Sequence, residues 1–287
     1  MTAGPGAQQA APGFCCPVCG LPLAKAQNTL RCPGGHSFDR AKEGYVNLLL
    51  ASRMRTKAPG DSKEMVQARH AFLQSGAYAP FAGALAQLCC GFARGANRPL
   101  RIADAGCGEG YNAQVVSAAL CSRGLPYALA GWDIAKPAVR LAARRDLPGA
   151  AFAVASSFAA PLADGWADVL LNVFSPFARA EFLRCLAPGA KLIYAVPTAD
   201  HLMGLKQVLY SRPYENPVRR VEYAGFCQQD ELVVRDTLHL AGAAVGQLFS
   251  MTPYYWKTPA DGAARLAELD RLDTPVGFRF LVFEKTG

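Results

Sequence analysis

Two groups of residues in this 287-residue chain have types and spacings that can do chemistry. In the first, Cys16-Pro-Val-Cys19 is followed by Cys32 and by His36 in CPGGH, a C-x2-C, x12, C-x3-H pattern. Two close pairs on separate turns can close a tetrahedron around zinc, with thiolates binding as anions. Four protein ligands leave no open position on the metal, so Zn2+ at Cys16, Cys19, Cys32 and His36 is expected to be structural. The surrounding segment is rich in Cys, Gly and Pro and could not hold a core without such a staple. Cys15 is left out of the ligand set, because Cys16 has the two-residue spacing to Cys19 that suits a metal-binding turn.

The second group is Asp104-Ala-Gly106-Cys107-Gly108-Glu109-Gly110-Tyr111. Glycines here let the backbone turn sharply and approach a ligand with no Cβ in the way. A glycine turn alone is a weak signal, but Asp133 closes the next apolar run, GWDI, where a carboxylate can accept both ribose hydroxyls of a nucleoside. Ser156 and Ser157 end the run after that, where an adenine edge would be read. Asp104 and Glu109 would sit unfavourably beside a pyrophosphate and suit a positively charged sulfonium. D-x-G-x-G-x-G followed by a strand-end Asp resembles the class I S-adenosylmethionine methyltransferases. Cys107 is expected to be a small buried thiol.

The elements that must position these groups follow from periodicity. Residues 1–13 are Pro/Gly/Ala-rich and read as a mobile tail, and residues 14–50 read as the zinc module. Residues 51–97 read as a helical linker, with MVQARHAFLQ and FAGALAQLCCGFA spaced as helices. The SGAYAP turn between them leaves Tyr78 free to project. From 98 to 287 strands alternate with helices: LRIADAG, YALAGWDI, AAFAVASS, ADVLLNVF and KLIYAVP are strands, and VGFRFLVFEK is a final one. The fold class is therefore α/β, a Rossmann-like class I methyltransferase domain with a small N-terminal zinc-binding module. The two parts read as independent, so Cys19→Ser should loosen the N-terminal module and leave cofactor affinity nearly intact.

Composition bounds the setting. With 51% hydrophobic and 18% charged residues the chain can bury one large core. No signal segment or membrane span is apparent, so a cytoplasmic location is expected, and ten cysteines then point to metal binding and burial rather than disulfides. A net charge of +8 favours a polyanionic partner.

The segments CPVCGLPL, CPGGHSFDRAKEGYVNLL, PGDSKEMVQARHAFL, DAGCGEGY, VASS and HLMGLK together resemble the RlmA-type 23S ribosomal RNA guanine-N1 methyltransferases, from Cys16 almost to the C-terminus. The resemblance implies zinc on Cys16, Cys19, Cys32 and His36. It implies S-adenosyl-L-methionine contacts at Tyr78, Gly108, Glu109 and His201, beside those read from Asp104, Gly106, Asp133 and Ser156. It also implies methyl transfer to N1 of a guanine in a domain II hairpin loop, and a homodimer with the RNA between protomers. Two branches of the family methylate neighbouring guanines, one linked to resistance to certain macrolides; these residues do not assign the branch.

N1 of guanine carries a proton that must leave, and no residue is identified to accept it. Asn172-Val-Phe-Ser175-Pro176 ends the fourth strand, where an amide and a hydroxyl could bond the guanine edge and Phe174 or Phe177 could stack; an internal role for Asn172 is equally open. Arg53, Arg55, Lys57 and Arg69 are expected near the zinc module, as phosphate contacts or as a solvated face. The rival readings are a small-molecule methyltransferase and a non-catalytic RNA-binding protein with this fold.

Overall fold

The computed structural model describes residues 13–54, 56, 59–94, 97–218 and 222–286. Residues 1–12 of the 1–13 read as a tail, with Arg55 and Lys57, lie outside the described residues, while Gly13 is tied down, its carbonyl accepting the Ala163 N–H at 3.0 Å. The chain opens with three short strands, β1 (Ala24–Ala26), β2 (Thr29–Arg31) and β3 (Ser37–Asp39), which form an antiparallel sheet. Then come β4 (Val46–Asn47), α1 (Lys63–Gln74) and α2 (Ala79–Ala93). The Ser62 hydroxyl starts α1 by accepting the Met65 N–H at 3.3 Å, with Glu64 in the positive first turn.

The alternating half runs β5 (Leu100–Ala105), α3 (Tyr111–Ser122), β6 (Tyr127–Asp133), α4 (Lys136–Arg144), β7 (Ala150–Val154), β8 (Ala167–Val173), α5 (Arg179–Cys185), β9 (Leu186–Pro197) and α6 (Met203–Leu209). It closes with β10 (Phe226–Ala241), α7 (Ala243–Ser250), α8 (Ala260–Ala267) and β11 (Arg271–Lys285). One eight-stranded sheet has the order β10-β11-β9-β8-β5-β6-β7-β4. β4 to β9 pair in parallel, and β11 is antiparallel to β9 and β10. The strand order reverses at β5, with β6 on one side and β8 on the other, which opens a crevice at the carboxyl ends of the strands.

Alternate residues of the strands feed two cores. Ile102, Leu129, Leu171 and Ile193 join Phe72, Leu85, Val116 and Val139 of the helices on one face. On the other, Ala103, Trp132, Leu170 and Leu192 join Phe182 of α5 and also Phe14, Cys16, Leu23 and Cys32 of the zinc segment. That segment is tied in further by β4 at the sheet edge, by Leu48 N–H donating to Val154 O at 2.9 Å, and by Cys15 N–H donating to Pro161 O at 2.8 Å. The zinc segment therefore shares a core with the sheet, and the independence expected of it is not what the packing shows. The helices read as a linker likewise join the core: Phe81 of α2 packs on Phe278 and Phe280 of β11, Phe72 of α1 packs on Tyr78, and Leu85 and Cys89 are buried.

Three further expectations change. The third strand stops at Val154, and Ser156 instead caps a 3-10 turn, its hydroxyl accepting the Phe158 N–H at 3.2 Å. β10 went unread because half of its FCQQDELVVRDTLHLA residues are polar and most are exposed; pairing with β11, with one register shift between Gln228 and Asp230, holds it as a strand. Tyr78 does not project: it is 8% exposed, edge-on to Phe72 at 5.2 Å and to Phe278 at 5.0 Å. Burying a large aromatic surface on those rings outweighs leaving it in a loop. Among the described residues no helix is long and apolar enough to cross a membrane.

Candidate functional site

A cavity of about 710 Å³ opens at the carboxyl ends of β5, β6 and β8. The turn after β5 forms its floor, and the sequence explains its shape. Gly106, Gly108 and Gly110 have φ of 79°, 55° and 82°, a region costly for residues with a Cβ. A Cβ on Gly106 would lie 2.4 Å from Ser175 Oγ, and one on Gly110 2.9 Å from the Ala142 backbone, whereas a Cβ on Gly108 would meet nothing within 4 Å. Gly108 is thus the open point of the cradle.

Asp133 fixes that point, its Oδ2 accepting the Gly108 N–H at 3.0 Å and its Oδ1 the Ala135 N–H at 2.8 Å. Burial raises its pKa, against the lowering effect of these two hydrogen bonds. Each oxygen keeps a further lone pair toward the cavity that Asp133 lines. Ser156, Ser157 and Phe158 continue the wall, and Trp132 Nε1–H donates to Ser157 Oγ at 3.2 Å.

The other expected residues divide. Gly106, Gly108, Glu109, Tyr78 and His201 line the cavity. Asp104 does not: it lies 2% exposed outside the wall, with Oδ2 unpartnered among the described residues. Burial, helped by repulsion from Asp133, pushes its carboxyl up to about 7. Glu109 has an almost fully buried carboxylate, and its Oε2 already pairs with Arg145 and with His70 Nδ1, the latter at 2.9 Å. Its charge is balanced inside the protein, and Oε1, which has no partner among the described residues, is its remaining acceptor.

His201 is buried rather than a surface residue, between β9 and α6. Its Nδ1 accepts the Gly277 N–H at 3.3 Å, so the ring proton sits on Nε2. Burial, with the nearby Lys206 charge, lowers its pKa to about 4. The ring is a neutral N–H donor at physiological pH. Because the unfolded chain protonates it near 6.5 and the folded chain only near 4, this contribution to stability is present above 6.5 and lost as pH falls through that window. Urea unfolding from pH 7 to pH 4 should show wild type losing about 3 kcal/mol relative to His201→Asn. Equal slopes for the two proteins would refute this protonation state.

On the target side, Phe174 and Ser175 line the cavity and Asn172 does not. Asn172 is fully buried, with Nδ2 reaching Pro176 O at 3.5 Å, and Phe177 stacks on Tyr223 at 4.0 Å away from the wall. Phe174 is 48% exposed, lies roughly parallel to Phe81 at 5.9 Å and has φ of 50°. Since a Cβ at that φ costs roughly 1 kcal/mol, Phe174→Gly should be more stable than Phe174→Ala by about that amount in denaturant melts. The reverse order would show that the backbone there is relaxed.

Arg69, expected near the zinc module, is instead a wall residue, because α1 packs beside the cavity. It pairs with Asp61 and donates to Met251 O at 3.0 Å. Sequence reading missed Asp61, Asn216, Thr252 and Tyr254, which also line the cavity. They come from distant segments, and no local pattern marks them.

At the zinc module the ligand atoms of Cys16, Cys19, Cys32 and His36 all lie within 4.8 Å of one another. Cys19 Sγ is 3.6 Å from Cys32 Sγ, and Cys32 Sγ is 3.4 Å from His36 Nδ1. Zinc–sulfur bonds of about 2.3 Å at tetrahedral angles require spacings close to these. Gly34 belongs to the fit, since a Cβ there would stand 3.3 Å from Cys19 Sγ. Burial opposes ionisation of Cys32, but hydrogen bonds with His36, Cys19 and Cys16 together outweigh it and bring the thiol down to about 6. Cys15 turns to Gly13 O, outside the set.

A glycine cradle after the first central strand, an acid closing the second and a crevice at the reversal of strand order define a class I S-adenosylmethionine methyltransferase, here built on a zinc ribbon. The family model for the RlmA N-terminal zinc ribbon matches residues 14–57. A 23S rRNA (guanine(748)-N(1))-methyltransferase of Streptomyces fradiae is 40% identical over 269 residues, spanning 88% of this chain and 90% of that protein. A provisionally named 23S rRNA (guanine-N(1)-)-methyltransferase of Micromonospora griseorubida is 38% identical over 288 residues, 90% of this chain and 92% of its own. Bacillus subtilis YxjB, provisionally given the same name, is 31% identical over 284 residues, with 94% and 96% covered. The chain belongs to the RlmA-type family of 23S rRNA (guanine-N1)-methyltransferases.

Proposed function

We propose that this chain transfers the methyl group of S-adenosylmethionine to N1 of a guanine in 23S ribosomal RNA, the activity named for its Streptomyces relative. The observation that carries the reading is one cavity lined by the Gly108–Asp133 cradle and also by the exposed Phe174 and the half-buried Ser175. When bound, the cofactor supplies an electrophilic methyl group on sulfur. Asp133 would hold its ribose hydroxyls, Gly108 would let it approach the backbone, Ser156 would read its adenine, and Glu109, Tyr78 and His201 would complete the contacts, His201 through Nε2–H. Phe174 stacks on the target guanine and Ser175 bonds its edge, so the rate comes largely from holding two reactants at attack distance.

The finer reading is a guanine in a domain II hairpin loop, at the position named for the Streptomyces relative, bound in the cytoplasm by a homodimer. In that reading 14–50 recognises RNA, 51–97 links, and 98–287 carries the transfer. Labelled methyl transfer to deproteinised 23S RNA tests the activity. Transfer to small metabolites instead, or none to either substrate, would overturn it, and sedimentation tests the dimer.

A further inference from the structure

Between α7 and α8, Pro253–Trp256 forms a single 3-10 turn. Pro253 and Tyr254 line the cavity, and the next two side chains, Tyr255 and Trp256, are 45% and 68% exposed. Leaving so much aromatic surface in water is unfavourable by the area it exposes. The indole is nevertheless held: its N–H donates to Met65 Sδ at 3.3 Å, and the Tyr255 ring meets it edge-on at 5.0 Å. Tyr255 is braced in turn by Phe249 at 5.5 Å. A held, exposed aromatic pair therefore directly follows cavity-lining Tyr254 in the chain, with exposed Lys257 next.

We propose that Tyr255 and Trp256 are a stacking platform for unpaired nucleobases flanking the guanine that enters the cavity. This rests on the RNA-substrate reading. A nucleobase offers a π-face to the indole whatever its sequence, and its phosphate suits Lys257 and a chain of net charge +8. A protein partner would call for a wider apolar surface, whereas Lys257 and Asp261 beside the platform are exposed and charged.

The test titrates zinc-loaded full-length protein, and its Trp256→Ala, Trp256→Phe and Tyr255→Ala variants, with a 23S rRNA transcript. Readouts are tryptophan fluorescence, KM and kcat for methyl transfer, calorimetric cofactor affinity, melting midpoint and sedimentation. RNA should quench the wild type, and Trp256→Ala should abolish most of the quenching, since Trp132 is fully buried and Trp166 partly so. Trp256→Ala should weaken RNA binding roughly five- to 150-fold and raise KM, with kcat, cofactor affinity and melting little changed, while Trp256→Phe keeps most of the affinity. If the wild type methylates RNA while Trp256→Ala and Tyr255→Ala bind it normally, the platform is refuted and the activity stands. A change in sedimentation in place of RNA affinity makes the patch a self-contact and also refutes it. If the wild type transfers no methyl to RNA, the functional reading fails and the platform with it.

Discussion

Cys32→Ser is expected to remove the bound zinc, lower the melting midpoint of the whole protein and abolish methyl transfer to RNA. Structural zinc sites of this kind contribute on the order of 10 kcal/mol to folding, comparable to the net stability of a domain. The reach of the effect comes from packing. Cys16 and Cys32 are buried in the same cluster as Trp132, whose indole N–H holds Ser157 in the cavity wall. Loss of the metal should therefore expose Trp132, red-shift its fluorescence and weaken cofactor binding by about tenfold, the scale of one lost buried hydrogen bond. Metal content, melting and calorimetry together check this. An unchanged cofactor affinity with the metal gone would restore the picture of independent modules and refute the shared core as a mechanical link.

Asp133→Ala should have the second large effect, felt most at the cofactor. Charge-assisted hydrogen bonds are worth about 1.5–3 kcal/mol each, so losing two to a ribose predicts a weakening of S-adenosylmethionine binding by at least about a hundredfold. The substitution also releases the Gly108 and Ala135 N–H groups that now bond the carboxylate. Asp133→Asn does not rescue, because both oxygens face backbone donors and an amide must aim its NH2 at one of them. Calorimetry on folded protein reads the effect directly; affinities within a few-fold of wild type for both variants would remove Asp133 from the cofactor site.

The motifs that were legible in the sequence were those whose chemistry is local. The spacing of Cys16, Cys19, Cys32 and His36, and the glycine turn ahead of Asp133, each fall within a short stretch of sequence, and the structure brings each set together. The parallel strands were legible for a related reason, since both faces are buried and their residues are nearly all apolar. What escaped depends on long-range packing. β10 is an exposed edge strand with a half-polar sequence, and only its partner β11 makes it a strand. Tyr78 looked free because nothing nearby in sequence shows that Phe278 waits to cover it. Arg69, Asp61 and Tyr254 reach the cavity from distant segments, and Asp104, next to the glycines in sequence, is tucked outside it.

The central claim is a methyl group placed on N1 of a guanine of 23S ribosomal RNA. It is tested most directly by mass spectrometry of nuclease digests of that RNA, from cells with and without this chain, with primer extension locating the modification. One guanosine should gain 1-methylation and stop extension only when the chain is present. Identical digests and identical extension from the two sources would contradict it.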